Sequence, residues 1–249
     1  METKVHRCRF YNPKPKSIEC LAYNRNKKVF ALARKEAFIE IWDLNESPLL
    51  LAYIPGVKNG SVEALAWSGD RLFSTGLGGS LVEWDLINLC VKQSVLLTGY
   101  AAWCLDVDPA DKHVVVGTEQ GYINKYSIEN NEITYSKLFD KQEGRIMCCK
   151  FDKTGTILVT GQAVKRISTK RRGGEVIIWC LAVLSDLTII SGDSHGRLSF
   201  WDGNLDTFVF FINCDTTSNL DLPDHKQEEF TAAPVAVTKL AKGASSRIT

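Results

Sequence analysis

The sixteen residues from Arg71 to Leu86, RLFSTGLGGSLVEWDL, constrain this chain more than any other stretch. They read as strand, tight turn, strand, then a Trp84-Asp85 stop. Leu72 and Phe73 open the first apolar run. Gly76 to Ser80 form a turn in which glycine takes backbone angles that other residues resist. Leu81 to Leu86 alternate apolar with polar. A hairpin with two apolar faces is marginal in isolation. Further copies can cover those faces, and the chain supplies them. The aromatic stop recurs at Trp42, Trp84, Tyr126 and Trp201, in two steps of 42 residues and one of 75.

A second marker lies upstream of each stop: IECLAY from Ile18, VEALAW from Val62, AWCLDV from Ala102, IMCCKF from Ile146 and IWCLAV from Ile178. Its starts are spaced 44, 40, 44 and 32 residues apart. A period near 40–45 residues with Trp-Asp endings is the signature of WD repeats, which fold as the blades of a β-propeller. The expected fold is all-β, a propeller with about five recognisable blades, one of them incomplete. The repeats fall at about 18–53, 62–97, 102–139, 146–161 and 178–202, within a propeller region 1–212. In the fourth repeat, residues 146–151 and 156–161 give two strands, but a lysine- and arginine-rich run stands where a third strand with its Trp-Asp stop is due. About ten residues are missing there relative to the other periods. Residues 5–12 alternate like a strand and precede the first repeat, a place from which a strand can complete the last blade. Pro13-Lys14-Pro15-Lys16 then breaks the chain, because proline cannot donate to a ladder. Residues 213–249 show no sustained periodicity and are expected to be a low-order, disordered tail. Five repeats with one defective read as part of a longer protein.

Net charge is +1, so bulk charge does not select nucleic acid as a partner. Its distribution is uneven: residues 1–35 carry ten Lys/Arg against two Glu, and residues 202–249 carry seven acids against four bases. Cys20, Cys104, Cys148 and Cys180 share one place in the upstream marker, which reads as a small buried thiol. Neither a Cys-x-x-Cys pair nor histidine at zinc spacing is present, so no metal or cofactor is expected. The start METK has no signal-peptide character, and no apolar run approaches the ~20 residues of a membrane span. A soluble intracellular protein with reduced thiols, no membrane partner and no small-molecule substrate is expected.

Gly76-Leu77-Gly78-Gly79 lacks the Gly-Lys-Ser/Thr and following helix of a phosphate loop and reads as a hairpin turn. Asp193-Ser194-His195 sets three catalytic residue types side by side, yet adjacent strand residues point to opposite faces, so the Asp reads as a turn former. No catalytic residues are assigned. Trp42, Asp43, Trp84, Asp85, Trp201 and Asp202 are assigned as structural repeat residues. Lys165, Arg166, Lys170, Arg171 and Arg172 put five positive charges in eight residues. They suit an RNA backbone or an acidic partner, without reading of base sequence, or a nuclear import signal. The simpler reading is a solvated loop replacing a lost strand. Lys14, Lys16, Arg25, Lys27, Lys28, Arg34 and Lys35 are a second candidate basic surface.

The run KVHRCRFYN from Lys4, with IECLAYN from Ile18, VEALAW from Val62, RLFSTGL from Arg71, IWCLAVLSD from Ile178 and TIIS from Thr188, resembles the amino-terminal propeller of the cirhin family, in truncated form. The likeness covers about residues 4–202. It implies a non-catalytic nucleolar scaffold of the small-subunit processome. Such a scaffold acts in small-subunit pre-ribosomal RNA processing, with a link to ribosomal DNA transcription. Its implied partners are other processome scaffold proteins and the pre-ribosomal RNA or U3 small nucleolar RNA particle. Two alternatives are an adaptor such as a ubiquitin-ligase substrate receptor and a non-functional truncated form. Many such receptors carry Trp-Asp-x-Arg; the fourth positions here are Asn45, Ile87 and Asn204, which argues against that class.

Overall fold

The computed structural model describes residues 16–165, 175–204, 207–213, 235–239 and 245–247. Among these residues the strands form four antiparallel sheets in a β-propeller arrangement. The first repeat gives β1 (Ile18–Asn24), β2 (Val29–Arg34), β3 (Phe38–Asp43) and β4 (Leu49–Ile54), paired in that order. The second gives β5 (Ala64–Ser68), β6 (Arg71–Thr75), β7 (Ser80–Asp85) and β8 (Cys90–Leu96); the third gives β9 (Ala102–Val107), β10 (His113–Thr118), β11 (Ile123–Ser127) and β12 (Thr134–Leu138). Each is a meander whose period-2 alternation buries one face against the next repeat.

The fourth sheet has eight strands and holds two repeats. β13 (Arg145–Phe151) pairs with the long β14 (Ile157–Lys165), and β15 (Glu175–Val183), β16 (Thr188–Asp193), β17 (Arg197–Asp202) and β18 (Thr207–Asn213) form the fifth meander. Only Ala163 to Lys165 of β14 pair with the start of β15. The rest of that edge, from Ile157 to Gly161, is taken by β19 (Val235–Lys239), with β20 (Ser245–Arg247) beyond it. The third position of the fourth repeat is thus filled from far down the chain. Val235 is fully buried, in a cluster with Val159, Val176, Ile178, Ile189 and Trp201. An apolar strand edge left bare is a pairing hazard, and β19 removes it. The expected strand at 5–12 and the rest of the expected tail lie outside the described residues.

The first strands of successive repeats, β1, β5, β9, β13 and β15, pack side by side in that order. A repeated contact sets their spacing. The thiol of Cys20 donates to the Val62 carbonyl at 3.6 Å, that of Cys104 to the Ile146 carbonyl at 3.7 Å, and that of Cys148 to the Ile178 carbonyl at 3.3 Å. Opposite Cys104 and Cys148 the paired residues are Gly117 and Gly161. A Cβ on Gly117 would lie 2.5 Å from the Ile146 side chain, and one on Gly161 would lie 2.6 Å from that of Ile178. The Cys–Gly pair is therefore a notch that receives the leading isoleucine of the next repeat. Burial pushes the Cys20 thiol up to about 12, with Glu63 and Glu19 adding to the effect, and drives Cys104 and Cys148 upward as well. These are packing thiols rather than nucleophiles.

Candidate partner and RNA interface

The repeat residues act inside their own sheets. The indoles of Trp84 and Trp201 donate to the hydroxyls of Ser74 and Ser191, each at 2.8 Å. The first repeat has Leu32 in the corresponding place, and Trp42 donates to Glu40 at 2.9 Å instead. In the third repeat Tyr126 donates to the Leu96 carbonyl at 3.2 Å. Each Asp of the Trp-Asp pair accepts backbone N–H groups two or three residues on. Asp43 takes that of Asn45, Asp85 those of Ile87 and Asn88, and Asp202 that of Asn204, all at 2.8–2.9 Å. These are Asx turns that reverse the chain toward the fourth strand.

Strand alternation places all second-to-third-strand turns and all repeat-to-repeat connections on one rim. Gly76 to Gly79 sit there in a hairpin closed by Gly79 N–H donating to the Gly76 carbonyl at 3.1 Å. Gly79 has φ +68°, and a Cβ on it would lie 2.8 Å from the Tyr100 carbonyl oxygen, so close approach of the next loop requires glycine. Lys165 belongs to β14 and pairs in register with Glu175 at this rim. Arg166, Lys170, Arg171 and Arg172 lie outside the described residues.

The second basic group is not one surface. Lys16, Arg34 and Lys35 stand at this rim, whereas Arg25, Lys27 and Lys28 stand at the β1–β2 turn. A six-residue strand, roughly 20 Å, separates them. Several charges are also neutralised. Lys16 pairs with Glu36, Arg34 with Glu40 at 2.7 Å, and Lys27 with Asp70 at 2.8 Å. Lys14 lies outside the described residues.

Rim residues that the sequence alone did not single out are Tyr100, Leu77 and Trp179, all well exposed, with Tyr100 at 74%. Trp103 donates to Glu119 at 2.5 Å, Arg145 lies 3.7 Å from the same carboxylate, and Lys141 sits over the Tyr122 ring at 5.6 Å. Trp103, Met147 and Trp179 occupy one place in the upstream marker, at a register shift between first and second strands. A bulge there turns the side chain away from the ladder. Glu19 holds the same place in the first repeat, beside another register shift, and Glu63 does so in the second. Burial, then the nearby Glu19, raises Glu63 above the ordinary carboxylate range. The shared marker position was the available signal.

Asp193, Ser194 and His195 are not joined as a triad: the Ser194 hydroxyl lies 3.4 Å from His195 Nδ1, but the Asp193 carboxylate turns to Arg197. Asp193 accepts the backbone N–H groups of His195 and Arg197 and ion-pairs with the Arg197 guanidinium at 2.7 Å. The Ser194 hydroxyl accepts the Ile177 N–H at 3.2 Å. At the opposite rim an open cavity is lined by Asp186, Trp201, Asp202 and Asn204; the polar groups of Asp186, Asp202 and Asn204 serve turns, and the Trp201 indole is bound to Ser191. Among the described residues no cluster of three or more His, Cys, Asp or Glu is placed to hold a metal, and no helix is long and apolar enough to cross a membrane.

No family model matches the chain. Individual proteins do. It is 34% identical over 239 residues to the human protein named U3 small nucleolar RNA-associated protein 4 homolog, covering 87% of this chain. The chain is a homologue of these proteins. The mouse protein of the same name is 31% identical over 84% of the chain, and the Schizosaccharomyces pombe U3 small nucleolar RNA-associated protein 4 is 27% identical over 82%. The resemblance to the cirhin family is thereby borne out. The chain spans about a third of the length of these relatives, 35% of the human and 33% of the mouse protein.

Proposed function

We propose that this chain is a non-catalytic β-propeller scaffold of ribosome biogenesis, working in the nucleolus with the U3 small nucleolar RNA particle. The observation that carries this reading is the homology, across 87% of the chain, to proteins named for association with U3 small nucleolar RNA. The fold agrees with it. The polar groups around Asp193 and Trp201 are spent on a turn and on a cross-strand bond to Ser191, and Leu77, Tyr100 and Trp179 are exposed on the rim of the second-to-third-strand turns, chemistry that suits a protein partner. Within this reading the chain supports small-subunit pre-ribosomal RNA processing, and ribosomal DNA transcription through the same assemblies. Its partners are other processome scaffold proteins. The run Lys165, Arg166, Lys170, Arg171 and Arg172 contacts RNA phosphates or an acidic partner face.

A tagged pull-down from nuclear extract tests the proposal. Enrichment of U3 small nucleolar RNA and of the 5′ pre-ribosomal RNA over an unrelated propeller is expected. Recovery of chaperones alone would make the homology a record of ancestry rather than activity.

A further inference from the structure

In the second and fifth repeats the third-strand tryptophan and a second-strand hydroxyl go together. Trp84 stands opposite Leu72 and donates to Ser74, two places on; Trp201 stands opposite Ile189 and donates to Ser191, again two places on. In the third repeat Tyr126 stands opposite Val114, and the residue two places on is Val116, which has no hydroxyl. In the first, Leu32 holds that place and the Trp42 indole turns to Glu40. A hydroxyl is thus present at this place where an indole reaches it and absent where none does.

The fourth repeat breaks the rule. Thr160 stands two places after Leu158 and is fully buried. Among the described residues its hydroxyl is the one buried side-chain oxygen or nitrogen without a hydrogen-bond partner. The strand beside it is β19, in the register of a third strand. Thr238 is opposite Leu158, the place of Trp84 and Trp201, and Lys239 is opposite Ile157, as Asp202 is opposite Thr188. β19 therefore supplies the backbone ladder and the buried Val235, but neither the tryptophan nor the turn-forming aspartate. A buried hydroxyl without a partner loses its hydration and gains nothing in return. A strand with Trp-Asp in this register makes the same five-residue ladder and satisfies Thr160 besides.

We propose that the third-strand slot of the fourth repeat, along Ile157 to Gly161, is a strand-addition site. It takes an extended segment of a partner protein with the pattern apolar-x-x-Trp-Asp, which displaces β19 and sets its indole on Thr160. The ladder gives affinity, and the buried hydroxyl selects tryptophan.

A synthetic peptide of the chain's own third-strand sequence, GSLVEWDLIN from Gly79 to Asn88, is the probe, titrated into the full chain by calorimetry. It is expected to bind, and its Trp→Phe analogue to bind about fivefold more weakly. With the Thr160→Val chain the two peptides bind alike. Amide exchange at Val235 to Lys239 speeds up on binding, while that at Val114 to Val116 does not change. No binding at millimolar peptide, equal binding of both peptides to the unaltered chain, or faster exchange in β7 instead of β19 would each overturn the proposal. Two variants test the site without peptide. Thr160→Val should melt no lower than the unaltered chain, because the hydroxyl it removes bonds to nothing; a lower melt contradicts the proposal. Thr238→Trp should melt higher and no longer bind the peptide, because the indole is then supplied from within. A melt that does not rise would show that Thr160 is not an indole acceptor, and the proposal would fall.

Discussion

Single side chains set the connections between repeats. Glu83 is 1% exposed and accepts from Arg71 at 2.7 and 2.9 Å and from Lys92 at 2.7 Å. Arg71 also donates to the Ile128 carbonyl, tying the second repeat to the third. Burial pushes the Glu83 carboxyl upward, but the hydrogen bonds and charges of Arg71 and Lys92 outweigh it and hold the group below its ordinary 4.5. The folded state therefore binds the proton less tightly than the unfolded chain. The contribution is complete above about pH 5 and is lost as pH falls below that range through the folded value. Glu83→Gln should lower stability by about 2 kcal/mol at neutral pH and flatten the acid limb of the melting temperature below about pH 5. Thermal melts across pH measure both. The six thiols among the described residues divide by exposure. Cys90 and Cys180 are exposed, while Cys20, Cys104, Cys148 and Cys149 are buried or partly buried. Iodoacetamide at pH 8 should alkylate the first two before the other four, as read by peptide mass. Equal labelling of all six would show that the sheets do not pack as described.

At the scale of elements, β14 decides the architecture. Its second half pairs with β15 and its first half with β19, so one strand belongs to two repeats. Ending the chain after residue 213 removes β19 and β20 and bares the edge at Ile157 to Gly161. Amide exchange at Leu158 and Thr160 should then rise at least tenfold, while that of Val114 to Val116 in β10 changes little. A uniform rise would mean that β19 supports the whole array rather than one edge. The notches answer to volume. Gly161→Ala sets a Cβ 2.6 Å from both Cys148 and Ile178, and overpacking of this kind costs about 1–3 kcal/mol. Denaturant unfolding checks it.

At the scale of the whole molecule, the proposed RNA contact of the basic run is open to a direct test. Replacing Arg166, Lys170, Arg171 and Arg172 with Gln should weaken binding to unstructured RNA without regard to sequence. Every phosphate that is no longer neutralised should reduce the slope of log affinity against log salt by about 0.7. Titrations at several salt concentrations read this directly, and an unchanged slope would assign the run to a solvated loop or to import. The repeat period, the Trp-Asp turns and the packing of the marker thiols Cys20, Cys104 and Cys148 were legible in the sequence because they are local, each a pattern of burial or turn chemistry within some forty residues; Cys180, expected to be buried like them, is exposed. Homology to the U3-associated proteins was legible for the same reason, in short runs such as IECLAYN and IWCLAVLSD. The sequence did not disclose that Lys16, Arg34 and Lys35 stand on one rim and Arg25, Lys27 and Lys28 on the other, because strand length determines that, nor that Glu36, Glu40 and Asp70 pair with three of them. Nor did it disclose the strand filling the fourth repeat. VAVTK at Val235 is too short to announce a strand by itself, and it becomes one where the bare edge of β14 supplies its hydrogen bonds and Val159, Ile178 and Trp201 bury Val235. Local pattern determined the repeats; pairing between residues more than seventy positions apart, visible only in three dimensions, decided how the array is completed.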